Sequence, residues 1–269
     1  MRSPRLVLLC MALALLVSSR ALGDQITVSD VPSYIWYRGC GPTAAGMIIG
    51  YWDAHGYPNL ITAGTGTNSW TTNQQGVKDT IASPEHIYDY WDWGDGKDRV
   101  PPPAFHDGNC VADFMWASRG SILKDGESYE NLQYVGMVDY AKYCGYPYAN
   151  GFYTYFGGLW DIFVAEIDAD RPMEFLVDKN GDNIGDHFVT AIGYDDTPAA
   201  LQYACYDTYD NNVHWYAFAG KASGQVYGIQ SGSWFDPIPE PATLVLLALG
   251  CAGLVAGRAR KRSTSSAAR

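Results

Sequence analysis

Three residues of this chain have the types and settings that thiol-based acyl chemistry requires. Cys40 stands in Trp36-Tyr37-Arg38-Gly39-Cys40-Gly41-Pro42-Thr43-Ala44-Ala45, just before a predicted helix. A thiol there sees the positive end of the helix dipole and unpaired N–H groups, which lower its pKa and favour the thiolate. The flanking glycines allow a substrate backbone to approach closely. His187 opens the segment Asp186-His187-Phe188-Val189-Thr190-Ala191-Ile192-Gly193-Tyr194-Asp195, so a strand would fix its backbone while the ring projects at the sheet rim. Asp207 ends the next apolar run, Tyr203-Ala204-Cys205-Tyr206, with Asp210 three residues on as the alternative. A thiol needs an imidazole to take its proton and later protonate a leaving group, and the imidazole needs an acceptor to hold its tautomer.

These side chains must be placed by helices early in the chain and strands later. Pro42 suits a first helical turn, and Ala45, Ile48, Ile49 and Trp52 recur on one face, which predicts a helix over 42–52. Further helical patterns cover 111–117, 131–143 and 159–167. After Pro172 the pattern changes to apolar runs at 173–177, 188–194, 201–206 and 213–218, separated by Asp, Asn and Gly, as in a mostly antiparallel sheet. Helices followed by strands predict an α+β domain.

Gly-Cys-Gly-Pro-Thr early, Asp-His-Phe-Val-Thr-Ala-Ile-Gly-Tyr late, and an aspartate after the next strand together resemble the papain-fold cysteine peptidases related to the bacteriocin-leader-processing peptidases, in a secreted stand-alone form. The resemblance implies Cys40 as nucleophile, His187 as general base and then acid, and Asp207 as the orienting residue. It implies a papain-like fold, with the nucleophile's helix packed on a C-terminal antiparallel sheet, and a peptide or protein substrate. One position departs from the pattern: the oxyanion-stabilising glutamine six residues before the cysteine is replaced by Tyr34, and Gln25 lies fifteen residues upstream. Loss of one oxyanion donor costs about 10²- to 10³-fold in rate. A non-catalytic surface or matrix protein on the same fold, or a transglutaminase-like acyl transferase, uses the same residue types.

Immediately before His187 lies Asp178-Lys179-Asn180-Gly181-Asp182-Asn183-Ile184-Gly185-Asp186. Asp178, Asn180, Asp182 and Asp186 present oxygens at alternate positions, as a calcium loop does, although Asn183 holds the usual glycine position and Val189 the usual glutamate position. An Asx-rich hairpin turn has the same composition. A structural calcium is therefore the one cofactor expectation, and the acyl chemistry itself requires none. Between the signal-like start and the C-terminal tail, four cysteines remain, Cys40, Cys110, Cys144 and Cys205; with Cys40 free, one disulfide pair can form. His55, His86, His106 and His214 lack comparable context and read as structural or surface residues, and the aromatic cluster of Tyr88, Tyr90, Trp91 and Trp93 takes no role.

The two ends differ from the middle. Arg2 and Arg5, an apolar run over 6–17 that contains Cys10, and Ala21-Leu22-Gly23 read as a signal peptide over 1–23. At the other end, 237–269 holds Pro239-Glu240-Pro241, an apolar stretch over 242–257 and a basic cluster at Arg258, Arg260, Lys261 and Arg262. As a helix that stretch would span about 24 Å, workable for a membrane segment with flanking adjustment. The order resembles the PEP-CTERM sorting signal of Gram-negative bacteria, which implies cutting by an exosortase, transient tethering to the inner membrane and release into the envelope or polysaccharide matrix. Eight of eighteen bases lie in these ends but only one of twenty-nine acids, so the domain over 24–236 carries 28 acids against 10 bases, a formal charge of −18. Such a surface excludes nucleic acid as an expected partner.

Overall fold

The computed structural model describes residues 25–61, 74–87, 109–118, 126–197 and 201–238. In chain order the described elements are β1 (Gln25–Thr27), α1 (Cys40–Ala54), α2 (Gln75–Ile81), α3 (Pro84–Ile87), α4 (Val111–Phe114), α5 (Leu132–Tyr143), β2 (Asn150–Tyr155), α6 (Leu159–Asp168), β3 (Met173–Asp178), β4 (His187–Asp195), β5 (Gln202–Tyr206), β6 (His214–Ala217) and β7 (Gly228–Asp236). The fold is α+β. A helical half comes first, and an antiparallel sheet in the order β2-β7-β3-β4-β5-β6 follows, with β1 pairing the far end of β4.

β3 and β4 are buried on both faces, which is why they read as mostly apolar runs rather than alternating ones. The register sets Val177 opposite His187 and Thr190 opposite Tyr206, so the start of β4 lies near the ends of β3 and β5. β2 and β7 escaped the sequence reading. β7 lies centrally between β2 and β3, yet its Gly228, Ser231, Gly232 and Ser233 carry little intrinsic strand preference. Gly232 is needed for packing, because a β-carbon there would stand 2.6 Å from Leu159 of α6.

α1 spans Cys40–Ala54 and is buried from Gly41 to Tyr51, whereas the sequence pattern predicted one apolar face over 42–52. It runs between two cores. Ile48, Met47 and Ile49 pack with Ile81, Met115 and Met137 on the helical side, while Tyr51 joins Phe163, Phe175 and Tyr194 on the sheet side. Each such fully buried side chain contributes about 1.5–3 kcal/mol. Thr190 of β4 donates from Oγ1 to the Ala44 carbonyl at 2.9 Å, tying the helix to the strand that His187 opens. The helix predicted over 111–117 is only one turn long, because Trp116 and Ser118 take positive φ and turn the chain away.

Candidate active site

Cys40 is the first residue of α1, not the residue before it. Its lead-in is fixed by Thr43, whose Oγ1 accepts from the Tyr37 N–H at 2.9 Å and donates to the Gly39 carbonyl at 2.6 Å. Gly39 has φ 150°, and a β-carbon there would meet the Gly126 carbonyl oxygen at 2.8 Å, so glycine is required on both counts. The Cys40 side chain packs against Ala44, Leu176 and Phe188. Burial pushes its thiol above the ordinary value, and the N–H groups of Phe188 and Gly41 pull back only in part. The expectation of a helix-lowered thiolate is thereby reversed: desolvation outweighs the helix N-terminus, and the resting group is the thiol.

His187 begins β4 and is 2% exposed. Its Nε2 lies 2.7 Å from the main-chain carbonyl oxygen of Asp207. A carbonyl can only accept, so Nε2 carries the proton and Nδ1 is the basic nitrogen. The ring stacks on Tyr209 at 4.8 Å between centroids and meets Tyr227 edge-on at 6.5 Å. Burial lowers its pKa; the Asp207 carbonyl opposes this and Lys179 adds to it. The imidazole is therefore neutral at pH 7.

Asp207 thus reaches His187 through its backbone, not through the carboxylate that the sequence reading expected. Its Oδ1 accepts from the Tyr209 N–H at 3.0 Å, and its Oδ2 accepts from the Tyr227 hydroxyl at 3.3 Å. The next residue, Thr208, has φ 68°, and its carbonyl accepts from the Trp36 N–H at 2.7 Å. This turn aims the preceding peptide at the imidazole and binds it to the loop that leads into Cys40. Asp210 instead accepts from His214 Nε2 at 2.9 Å and from the Asn212 N–H at 2.7 Å.

Cys40 and His187 line one cavity of about 270 Å³ together with Trp36, Lys179, Asp186 and Tyr209. A second cavity, of about 400 Å³, also opens onto Cys40 and is lined by Ser128, Glu130, Leu176, Phe188 and Gln230 among others. Tyr209, Tyr227 and Ser128 were invisible to the sequence reading, since no periodicity or motif links them to Cys40, and Lys179 entered it only within the loop before His187.

In the loop before His187, Asp178 is fully buried and its carboxylate accepts from the N–H groups of Gly181, Asp182 and Asn183. Asn180 Oδ1 accepts from the Asp182 N–H, and Asp186 Oδ1 accepts from the Lys179 N–H. Asp178, Asp182 and Asp186 do not form a cluster with oxygens within 4.8 Å of one another. The loop holds itself as a chain of Asx turns. The four cysteines Cys40, Cys110, Cys144 and Cys205 are free thiols. His86 is buried and pairs with Asp113, whereas Tyr88, Tyr90, Trp91, Trp93 and His106 lie outside the described residues.

Residues 237–261 match the family described as the PEP-CTERM protein-sorting motif. The tail is a sorting signal. It implies recognition by an exosortase and a protein that is exported and anchored at the membrane before processing. No curated protein matches the chain. The apolar stretch over 242–257 lies outside the described residues, and among those described no helix is long and apolar enough to cross a membrane.

Proposed function

We propose that the domain over 24–236 is an exported cysteine-type peptidase or related amide hydrolase of papain-like fold, acting on a peptide or protein through a thioester acyl-enzyme. The observation that carries this reading is that Cys40 and His187 open onto one cavity while His187 Nε2 is committed to the Asp207 carbonyl. That commitment reserves Nδ1 for the thiol proton. The papain-like reading is supported by a buried helix that begins with the cysteine and packs on an antiparallel sheet bearing the histidine.

In the reaction, Nδ1 of His187 takes the Cys40 proton as sulfur attacks the acyl carbon. The imidazolium then protonates the leaving amine, and water, deprotonated by the same nitrogen, cleaves the thioester. Neutral thiol and neutral imidazole are the resting pair, so the ion pair forms as substrate arrives. A non-catalytic binding role on the same fold draws support from the half-buried thiol, whose pKa is raised. After release from the tail, the product is destined for the cell envelope or polysaccharide matrix in this reading.

Iodoacetamide labelling of the purified domain, with the modified cysteine mapped, tests the pairing. We expect Cys40 to be labelled ahead of Cys110, Cys144 and Cys205, and its rate to drop in His187→Ala. A Cys40 rate unmoved by His187→Ala overturns the hydrolase reading. Product analysis with an added amine then separates hydrolysis from acyl transfer.

A further inference from the structure

An acyl-enzyme mechanism needs two donors to the oxyanion, and Tyr34 does not supply one. Its ring is fully buried and its hydroxyl lies against Gly50. Gly50 is ten residues along α1 from Cys40, about 15 Å at helical rise. The Tyr34 hydroxyl has no hydrogen-bond partner there.

A different pair of side chains stands beside Cys40. The segment from Gly126 crosses the lead-in loop so closely that a β-carbon on Gly126 would be 2.6 Å from the Arg38 carbonyl oxygen and 2.7 Å from Gly39 Cα. It delivers Ser128 to the start of α1: a β-carbon on Gly41 would meet Ser128 Oγ at 2.8 Å and Gln133 Oε1 at 2.7 Å. Gln133, on the first turn of α5, is fully buried. Its Nε2 donates to Ser128 Oγ at 2.6 Å and to the Tyr129 carbonyl at 3.1 Å. Flipping the amide would set Oε1 against that carbonyl, so its orientation is fixed, and Oε1 is left without a partner. Because Ser128 Oγ accepts from the amide, its own proton is directed elsewhere. Ser128 and Cys40 line the same cavity of about 400 Å³.

We propose that the Ser128 hydroxyl, oriented by Gln133, is the second oxyanion donor, working with the Cys40 N–H in place of the glutamine that Tyr34 replaces. This rests on the hydrolase reading above. As Cys40 sulfur bonds to the acyl carbon, the carbonyl π pair moves onto oxygen and accepts from both groups. When that pair returns, the bond to the leaving group breaks and the leaving group departs with its electrons. Ser128 touches the reacting oxygen; Gln133 is a positioning residue.

The test compares two reactions of the same thiol. Hydrolysis of p-nitrophenyl acetate passes through an oxyanion, whereas alkylation by iodoacetamide is a displacement at carbon that forms none. Ser128→Ala should slow hydrolysis about 10²-fold and leave Cys40 alkylation within about twofold of wild type. Ser128→Thr, which keeps the hydroxyl, should recover most of the rate, and Gln133→Leu should slow hydrolysis with alkylation spared. Wild-type hydrolysis in Ser128→Ala overturns the proposal and leaves the hydrolase standing. An equal fall in both reactions also overturns it, since Ser128 would then be shaping the thiol. A wild-type protein that turns over no faster than Cys40→Ala removes the hydrolase reading itself, and this inference with it.

Discussion

Nε2 of His187 lies 2.7 Å from the carbonyl oxygen of Asp207, so a peptide group, not a carboxylate, holds the imidazole of this site. The Asp207 carboxylate is turned toward Tyr209 and Tyr227. A backbone acceptor fixes the tautomer as well as a carboxylate does but gives less charge stabilisation to the imidazolium.

Asp207→Asn should therefore cost less than about tenfold in the hydrolysis of p-nitrophenyl acetate, against the roughly 10⁴-fold loss seen where a carboxylate is the imidazole's partner. His187→Ala should abolish turnover. A thousandfold loss in Asp207→Asn means that the carboxylate swings onto the ring during the reaction.

The pH profile follows from the two directions of shift. Burial lowers His187 from 6.5 and raises Cys40 from 9.0. The base form of the imidazole thus persists to more acid pH than usual, and the acid limb of kcat/KM should fall below 6.5. The thiol form persists to more alkaline pH, so direct alkylation of Cys40 should keep rising above pH 9. A midpoint of alkylation below pH 7 contradicts the burial assigned to Cys40.

Glu174 on β3 is 1% exposed, and neither carboxylate oxygen has a hydrogen-bond partner. Burial raises its pKa well above 4.5. Below about pH 4.5 the folded and unfolded chains both hold this proton, and the contribution to stability is complete. As pH rises further the unfolded chain releases the proton first, so stability declines by about 1.4 kcal/mol per pH unit until the folded-state value is reached. Urea unfolding at several pH values should show this decline, and Glu174→Gln should flatten it. An unchanged slope in the variant assigns the dependence to other groups.

The buried His86, Cys110 and Asp113 form a hydrogen-bonded network. Asp113 accepts from His86 Nδ1 at 2.7 Å, from the Cys110 N–H at 2.8 Å and from the Cys110 thiol at 3.0 Å, capping α4. Burial alone would raise the Asp113 pKa, but the hydrogen bond and charge of His86 more than offset it and the net shift is downward. The stability it contributes is present above pH 3.8 and is lost as pH falls through the lower folded value. Asp113→Ala should destabilise the domain by about 3–5 kcal/mol, because the buried imidazole loses the carboxylate 2.7 Å from its Nδ1. Denaturant midpoints at pH 7 check this; a change below 1 kcal/mol would place the pair outside the cooperative core.

The elements that carry Cys40, His187 and Asp207 were legible in the sequence because each is a strongly apolar segment with a polar residue at its border. β3, β4 and β5 were recovered nearly residue for residue, since strands buried on both faces leave mostly apolar runs. α1 was found, but its one-sided face was not, because it is wrapped on every side. β7 was missed: its Gly232 is there to let Leu159 and Phe175 approach, a demand that local propensity does not encode. Ser128 and Gln133 could not have been linked to Cys40, since they reach it from about ninety residues away.

By itself, the sequence determined the residue types available for acyl chemistry, the acidic character of the domain and the sorting tail, because these depend on composition and on order along the chain. Only the tertiary structure decided which atom of Asp207 faces His187 and which way the Cys40 thiol is pushed. Both depend on a strand register, on the positive φ of Thr208 and on how much water the packed helix excludes, and these exist only once distant segments are brought into contact.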